Sequence, residues 1–354
     1  MINGLALTIA YVTIEPQAIA DFNELIRGLR GNSMTDYGFN IRETVFSPKE
    51  GSMSIGIANI HATVPDVASN KKKILAATEI FKEKKVNIAV FPEFCMTGYF
   101  WEDYKDCSRY MESFTTDKER DWVMDNLYPL LEDELNIIVI NNIRKNPGKN
   151  LKYLNSTFVL NKFVDSTREE YIYDKIMLPG IEKTYCRSGL DDRLVIDTKM
   201  GKFGFTTCYD YCFSQLLQEY SRIDHVDAVI EVACWKGTGT RAYQDVNIFT
   251  DMYYGYLWDT LMASRSATNQ FWTIACNAVG KHEISGEVFW GGSGIWAPSG
   301  INIVKASNYN EELLIVRNVD IKGERNKEQD DYNYGMDFNE VYRHLEDKRT
   351  FTRL

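Results

Sequence analysis

Three polar residues each close or flank an apolar run that reads as a β-strand, and their types suit acyl chemistry at a carbonyl. Glu93 stands in F-P-E-F-C-M-T-G-Y at 91–99, directly after the run Val86–Phe91. Lys175 stands in Y-I-Y-D-K-I-M-L-P-G at 171–180, and Cys208 in G-K-F-G-F-T-T-C-Y-D at 201–210. A thiol of ordinary pKa, about 8.5, is mostly protonated at neutral pH, so a cysteine nucleophile needs a base beside it. A carboxylate can be that base, and an ammonium can steady the oxyanion that forms. Taken singly, each residue also has a plainer explanation. Strand-end acids usually face solvent, lysines between apolar neighbours usually snorkel, and most buried cysteines are inert.

Rival chemistries find less support. Cys208 and Cys212 form a C-x3-C pair with no second pair, and the scattered His61, His225, His282 and His344 do not complete a zinc set, so no metal is expected. A Cys/His dyad would need an oriented imidazole, but His225 lies in the charged stretch Arg222–Asp227 with no orienting partner. Phosphate-loop, dinucleotide and H-E-x-x-H motifs are absent. Gly291-Gly292-Ser293-Gly294 begins like a serine elbow, but Ile295 breaks the pattern.

The elements that must position these residues alternate. Met53, Ile55 and Ile57 have strand spacing, and Ile74, Ala77, Ile80 and Phe81 have helical spacing within Asn70–Lys84. Val86–Phe91 is a short strand ended by Pro92. Further strands are expected at Ile137–Ile140, Thr157–Leu160, Tyr171–Tyr173, Phe203–Thr207, Ala228–Val232 and Phe271–Cys276, with a helix over about Tyr256–Asn269. This alternation, followed by a strand-rich last third, indicates a layered α/β domain. No repeat or linker divides it.

In this order and these contexts, Glu93, Lys175 and Cys208 resemble the catalytic triad of the nitrilase (carbon–nitrogen hydrolase) superfamily. D-A-V-I-E-V-A-C-W at 227–235 resembles the strand after the nucleophile helix. W-D-T-L-M-A-S-R-S-A-T-N-Q-F-W-T-I-A-C-N at 258–277 is similar to the family's R-A-x-E-N-Q helix and next strand, and F-W-G-G-S-G-I-W-A-P-S-G at 289–300 to its F-x-G-x-S-x-I-x-x-P-x-G hairpin. Glu182, in I-E-K-T-Y-C-R-S-G at 181–189, is similar to the second glutamate, which holds the lysine and orients substrate. The chain departs from the family at Phe213-Ser214-Gln215, where F-P-E is usual, at Thr268, where glutamate is common, and at Asp174, where arginine is usual.

The resemblance covers about residues 53–320 and implies a four-layer α-β-β-α sandwich, with the site at the C-terminal ends of the strands. It leaves 1–52 as an N-terminal extension and 321–354 as a charged tail. From Lys322 onward seven basic and eight acidic residues nearly cancel, as in a solvated or intersubunit segment. Family members commonly pair face to face, so a homodimer or higher homo-oligomer is expected. The implied chemistry is attack by Cys208 with Glu93 as base, with Lys175 and the Tyr209 N–H on the oxyanion and no metal or organic cofactor.

Tyr209-Asp210 follows the nucleophile, as in amidases and carbamoylases, where true nitrilases usually show Trp-Glu. A small linear amide or ureido substrate is therefore favoured over a nitrile. No arginine lies between Cys208 and Gln215, which disfavours a free α-carboxylate. The alternative is an acyl transferase or a glutaminase-type ammonia donor. T-G-Y-F-W-E-D at 97–103 and E-K-T-Y at 182–185 resemble the glutaminase part of glutamine-dependent synthetases, though no synthetase domain is recognised here. The intact Glu93, Lys175 and Cys208 count against a non-catalytic binding member. Tyr99, Phe100, Trp101 and Tyr104, with Tyr209 and Trp235, are expected to line the substrate pocket.

Composition agrees with a small-molecule enzyme. Hydrophobic residues make up 44% and charged residues 25%, and the net charge is −10. An acidic chain lacks the footprint for nucleic acid or anionic lipid. No apolar run reaches the roughly 18 residues of a membrane span. Seven cysteines without framework spacing suit a reducing compartment, so a cytoplasmic location is expected.

Overall fold

The computed structural model describes residues 38–99, 117–146, 153–163, 171–189, 193–246 and 248–342. The first half runs β1 (Asn40–Val45), β2 (Met53–Asn59), α1 (Val67–Glu83), β3 (Ile88–Val90), α2 (Asp117–Asn126), β4 (Ile137–Lys145), β5 (Tyr153–Asn161), β6 (Ile172–Asp174) and the short α3 (Glu182–Tyr185). Next come β7 (Val195–Thr198), β8 (Gly201–Thr207), α4 (Ser214–Arg222), β9 (Ala228–Ala233), the ribbon β10 (Arg241–Tyr243) and β11 (Ile248–Thr250), and α5 (Tyr253–Asn269). The chain continues with β12 (Trp272–Asn277), the ribbon β13 (Val279–Lys281) and β14 (Val288–Trp290), β15 (Gly294–Trp296), β16 (Asn302–Lys305) and β17 (Glu312–Val319). It ends with α6 (Ile321–Asp331) and α7 (Tyr334–Asp337).

Two mixed sheets result, ordered β1-β17-β2-β3-β4-β5-β6 and β16-β15-β12-β9-β8-β7. Ile55, Ile57, Ile88 and Val90 of the first sheet meet Phe203, Phe205, Ile230 and Ile274 of the second in a shared interior. The opposite face of the first sheet packs on Ile74, Ala77, Ile80 and Phe81 of α1. The outer face of the second packs on Leu216, Leu217 and Tyr220 of α4 and on Trp258, Leu261 and Met262 of α5. The order of layers is α-β-β-α, the expected sandwich.

This layering explains a difference from the strand reading. Met53, Ile55 and Ile57 alternate, yet the whole of β2 is buried, because one face meets the second sheet and the other meets α1. Both sheets use a glycine to seat an aromatic ring of the covering helix. A side chain at Gly56 would meet the Phe81 ring at 2.6 Å, and one at Gly204 would meet Tyr220 at 2.6 Å. Helix α1 is started by Asp66, whose carboxylate accepts the Ser69 N–H at 3.0 Å. Helix α5 begins at Tyr253, before the expected Tyr256.

Part of the expected N-terminal extension is strand β1, which pairs parallel with β17 at the edge of the first sheet. Within the expected charged tail, α6 is anchored by buried Ile321 and by Arg325, whose Nη1 lies 3.1 Å from Asp227 Oδ1. Among the described residues no helix is long and apolar enough to cross a membrane.

Candidate active site

Glu93 lies just beyond β3, in a turn whose next residue, Phe94, takes the left-handed conformation at φ 48°. Lys175 follows β6, with its N–H on the Asn155 carbonyl at 2.8 Å and its carbonyl accepting the Gly189 N–H at 2.9 Å. Cys208 directly follows β8 and has φ 53°. A non-glycine residue there carries strain of about 1–2 kcal/mol, so the surroundings must hold it. Asp210 does so. Its carboxylate accepts the Thr207 N–H at 3.1 Å, the Tyr173 hydroxyl at 2.7 Å and the Met177 N–H at 2.7 Å. One carboxylate thus ties the Cys208 turn to the strand and loop that carry Lys175.

The three remaining ionisable groups form one buried cluster. Lys175 Nζ lies 2.9 Å from Glu93 Oε1 and 2.6 Å from Glu182 Oε1, and none of the three side chains is exposed. Asn155 Nδ2 donates to Glu93 Oε1 at 2.7 Å and to Glu182 Oε2 at 3.2 Å. The Cys234 N–H donates to Glu93 Oε2 at 2.7 Å. Tyr99 donates its hydroxyl to Glu182 Oε1 at 2.8 Å. Lys175, Asn155, the Cys234 N–H and Tyr99 all donate, which suits acceptor-only carboxylates.

Burial opposes the charge on Lys175, but Glu182 and then Glu93 outweigh it and hold the ammonium well above its ordinary range. Burial raises Glu182, with Lys175 pulling the other way and Glu93 adding to the rise. The Cys208 thiol is also pushed up, by burial first and the Glu93 charge second, while Lys175 favours the thiolate. The thiol therefore rests protonated beside a carboxylate and an ammonium. Such a site can move a proton from sulfur to Glu93 during attack, with a fixed cation nearby.

Glu93, Lys175, Glu182 and Cys208 are thus brought together from four separate segments. Tyr99 joins them through Glu182. Tyr209 is 37% exposed, and its ring packs edge-on against Phe213 at 5.1 Å. Trp235 is expected from the sequence to line the pocket. It is buried in the helix-side core against Trp258, and its Nε1 donates to the Tyr254 carbonyl at 2.8 Å. Beyond the end of β9 at Ala233, the chain turns the Cys234 N–H to Glu93 and the Trp235 ring to α5. Phe100, Trp101 and Tyr104 lie outside the described residues.

Asp174, where the family pattern has arginine, is matched by a cation from another strand. Arg144 Nη2 lies 2.7 Å from its Oδ2, and Ser156 donates to its Oδ1 at 2.5 Å. Sequence reasoning missed Asn155, Tyr173 and the role of Asp210. A signal was present for Asn155, because Asn155-Ser156-Thr157 and Asn141-Asn142 interrupt otherwise apolar strands. Buried polar residues need partners.

Comparison with known proteins gives the family and supports the fold. Residues 54–326 match the carbon-nitrogen hydrolase family. The chain is 24% identical over 271 residues to the omega-amidase Nit3 of Saccharomyces cerevisiae, covering 74% of this chain and 85% of that protein. It is also 24% identical over 270 residues to the glutamine-dependent NAD(+) synthetase of Aquifex aeolicus, covering 75% of this chain but only 42% of the synthetase. The fold superposes on an amidase from Nesterenkonia sp. AN1 with a TM-score of 0.64 at 17% identity, over 84% of this chain and 99% of that one. With more than half its length matched, the chain belongs to the carbon-nitrogen hydrolase family.

Proposed function

We propose that the protein hydrolyses the carbon–nitrogen bond of a small linear amide or ureido compound through a cysteinyl thioester. The observation that carries this reading is the buried Glu93–Lys175–Glu182 cluster beside the left-handed turn at Cys208. In this reading Glu93 takes the thiol proton as Cys208 attacks the carbonyl carbon. Lys175 and the Tyr209 N–H receive the oxyanion, and losing one such donor costs about 3–4 kcal/mol of barrier. Glu93 passes the proton to the leaving nitrogen, the C–N bond breaks and ammonia or an amine departs. Glu93 then deprotonates a water that attacks the thioester, freeing the acid and restoring the thiol.

A mutant of the solved amidase supports a nucleophilic cysteine, since its structure shows covalent addition of the acetamide moiety of fluoroacetamide at the active-site cysteine. Similarity to part of a glutamine-dependent synthetase supports a second reading, in which glutamine is the amide and its ammonia passes to a separate partner. Ammonia release from glutamine, simple aliphatic amides, ω-amides and ureido acids separates the two. Cys208→Ala is expected to abolish release with the fold intact, while Cys212→Ala keeps most of it. An active Cys208→Ala enzyme would overturn the proposal.

A further inference from the structure

A second polar network runs behind the ion cluster, between the two sheets, and converges on Asn141. This residue lies in β4, directly opposite Thr157 of β5, and has no exposed surface. Its Nδ2 donates to Asn155 Oδ1 at 2.9 Å and to Thr157 Oγ1 at 3.0 Å. Its Oδ1 accepts the Phe94 N–H at 2.9 Å. Thr157 Oγ1 in turn lies 3.1 Å from Thr207 Oγ1.

Each of these bonds ends on or next to a group of the site. Phe94 is the left-handed residue that follows Glu93. Asn155 holds one oxygen of Glu93 and one of Glu182. Thr207 precedes the left-handed Cys208. A buried primary amide is costly unless its hydrogens and oxygen are paired, and here both hydrogens and the oxygen are. The two strained backbone residues that present the carboxylate and the thiol are therefore braced from a single amide, across strands far apart in sequence. A fully connected network of this kind fixes geometry more sharply than apolar packing does.

We propose that Asn141 is a positioning residue that holds the Glu93 loop and the Cys208 turn in register with each other. It touches neither substrate nor the reacting atoms, and the inference rests on the reading of Cys208 as nucleophile and Glu93 as its base. Asn141→Asp keeps the shape and the acceptor for Phe94 but, as a carboxylate, loses both donors, so Asn155 Oδ1 is left without its donor while the Thr157 hydroxyl must turn to donate. Thr157→Val is nearly isosteric and cuts only the branch toward Thr207.

The test is the rate at which iodoacetamide alkylates Cys208 in each full-length variant, followed by mass spectrometry from about pH 6 to pH 9, up to and just past the ordinary thiol value of about 8.5. It is combined with kcat and KM for the best amide of the panel. Displacing reacting groups by about 1 Å costs on the order of 10²-fold. Asn141→Asp is accordingly expected to lower kcat by about 30–100-fold with KM within about threefold, and to slow alkylation by about tenfold. Thr157→Val is expected to slow alkylation several-fold. A residue that only fills space would lower the melting temperature and leave the alkylation profile of the folded protein unmoved.

Alkylation and kcat within about twofold of wild type in both variants would overturn the proposal. If Asn141→Asp does not fold, the alkylation rate of Thr157→Val decides alone. Failure of the underlying reading looks different, because ammonia release would then survive Cys208→Ala.

Discussion

The Lys175 ammonium lies 2.6 Å from Glu182 Oε1, and neither side chain reaches solvent. The same oxygen accepts Tyr99 at 2.8 Å, and the other accepts Asn155 at 3.2 Å. Glu182 therefore commits both oxygens to donors of its own chain. Its influence on a reaction would run through Lys175, which it holds charged.

Replacing Glu182 with Gln tests that influence. The amide keeps an acceptor for Lys175 and Tyr99 but turns an NH2 group toward Asn155, leaving one donor without an acceptor at a cost of about 1–3 kcal/mol. Glu93 still pairs the ammonium, so the protein should fold. The larger of the two opposing charges is gone, and burial then favours the neutral amine. Turnover is expected to fall by about 10²-fold or more, while alkylation of Cys208 persists. A wild-type kcat/KM in steady-state assays would make Glu182 a structural residue only.

Asp210 gives a prediction in pH. Burial raises its carboxyl from 3.8 to about 6, against the opposing pull of Lys175 and its hydrogen bonds. The folded state thus holds the proton more tightly than the unfolded chain. The associated stability is fully present below the ordinary value and is lost as pH rises through about 6. A shift of this size corresponds to about 3 kcal/mol. Relative to Asp210→Asn, wild type should lose about 2 kcal/mol of this between pH 4 and pH 6.5 and little further above. Denaturant melts of both proteins across this range measure it, and curves that stay parallel would contradict the assignment.

Trp235→Ala should act on stability. Removing a buried indole packed on Trp258 typically costs about 3–5 kcal/mol. KM measured on the folded fraction should change little, because the ring faces α5. A large rise in KM without a lower denaturation midpoint would return Trp235 to the pocket wall.

Much of the molecule was legible in the sequence because its signals are local. Helical spacing at Ile74, Ala77, Ile80 and Phe81 marks the face of α1 that packs on the first sheet, and the apolar runs before Glu93 and Cys208 mark β3 and β8. The motifs around Glu93, Lys175, Glu182 and Cys208 named the residues that the fold gathers. Other features depend on contacts between distant segments, which periodicity does not carry. Lys175 reads as a snorkelling side chain until two carboxylates 82 and 7 positions away close on it. Nothing local to β17 says that it must insert between β1 and β2. Trp235 reads as a pocket residue in the sequence, and only the fold shows its ring packed on Trp258 of α5. Asn141 and Asn155 are, in the sequence, no more than polar interruptions in apolar strands. Their meaning came from the packing of two sheets, which removes water and leaves each amide to be satisfied by the groups that hold the site.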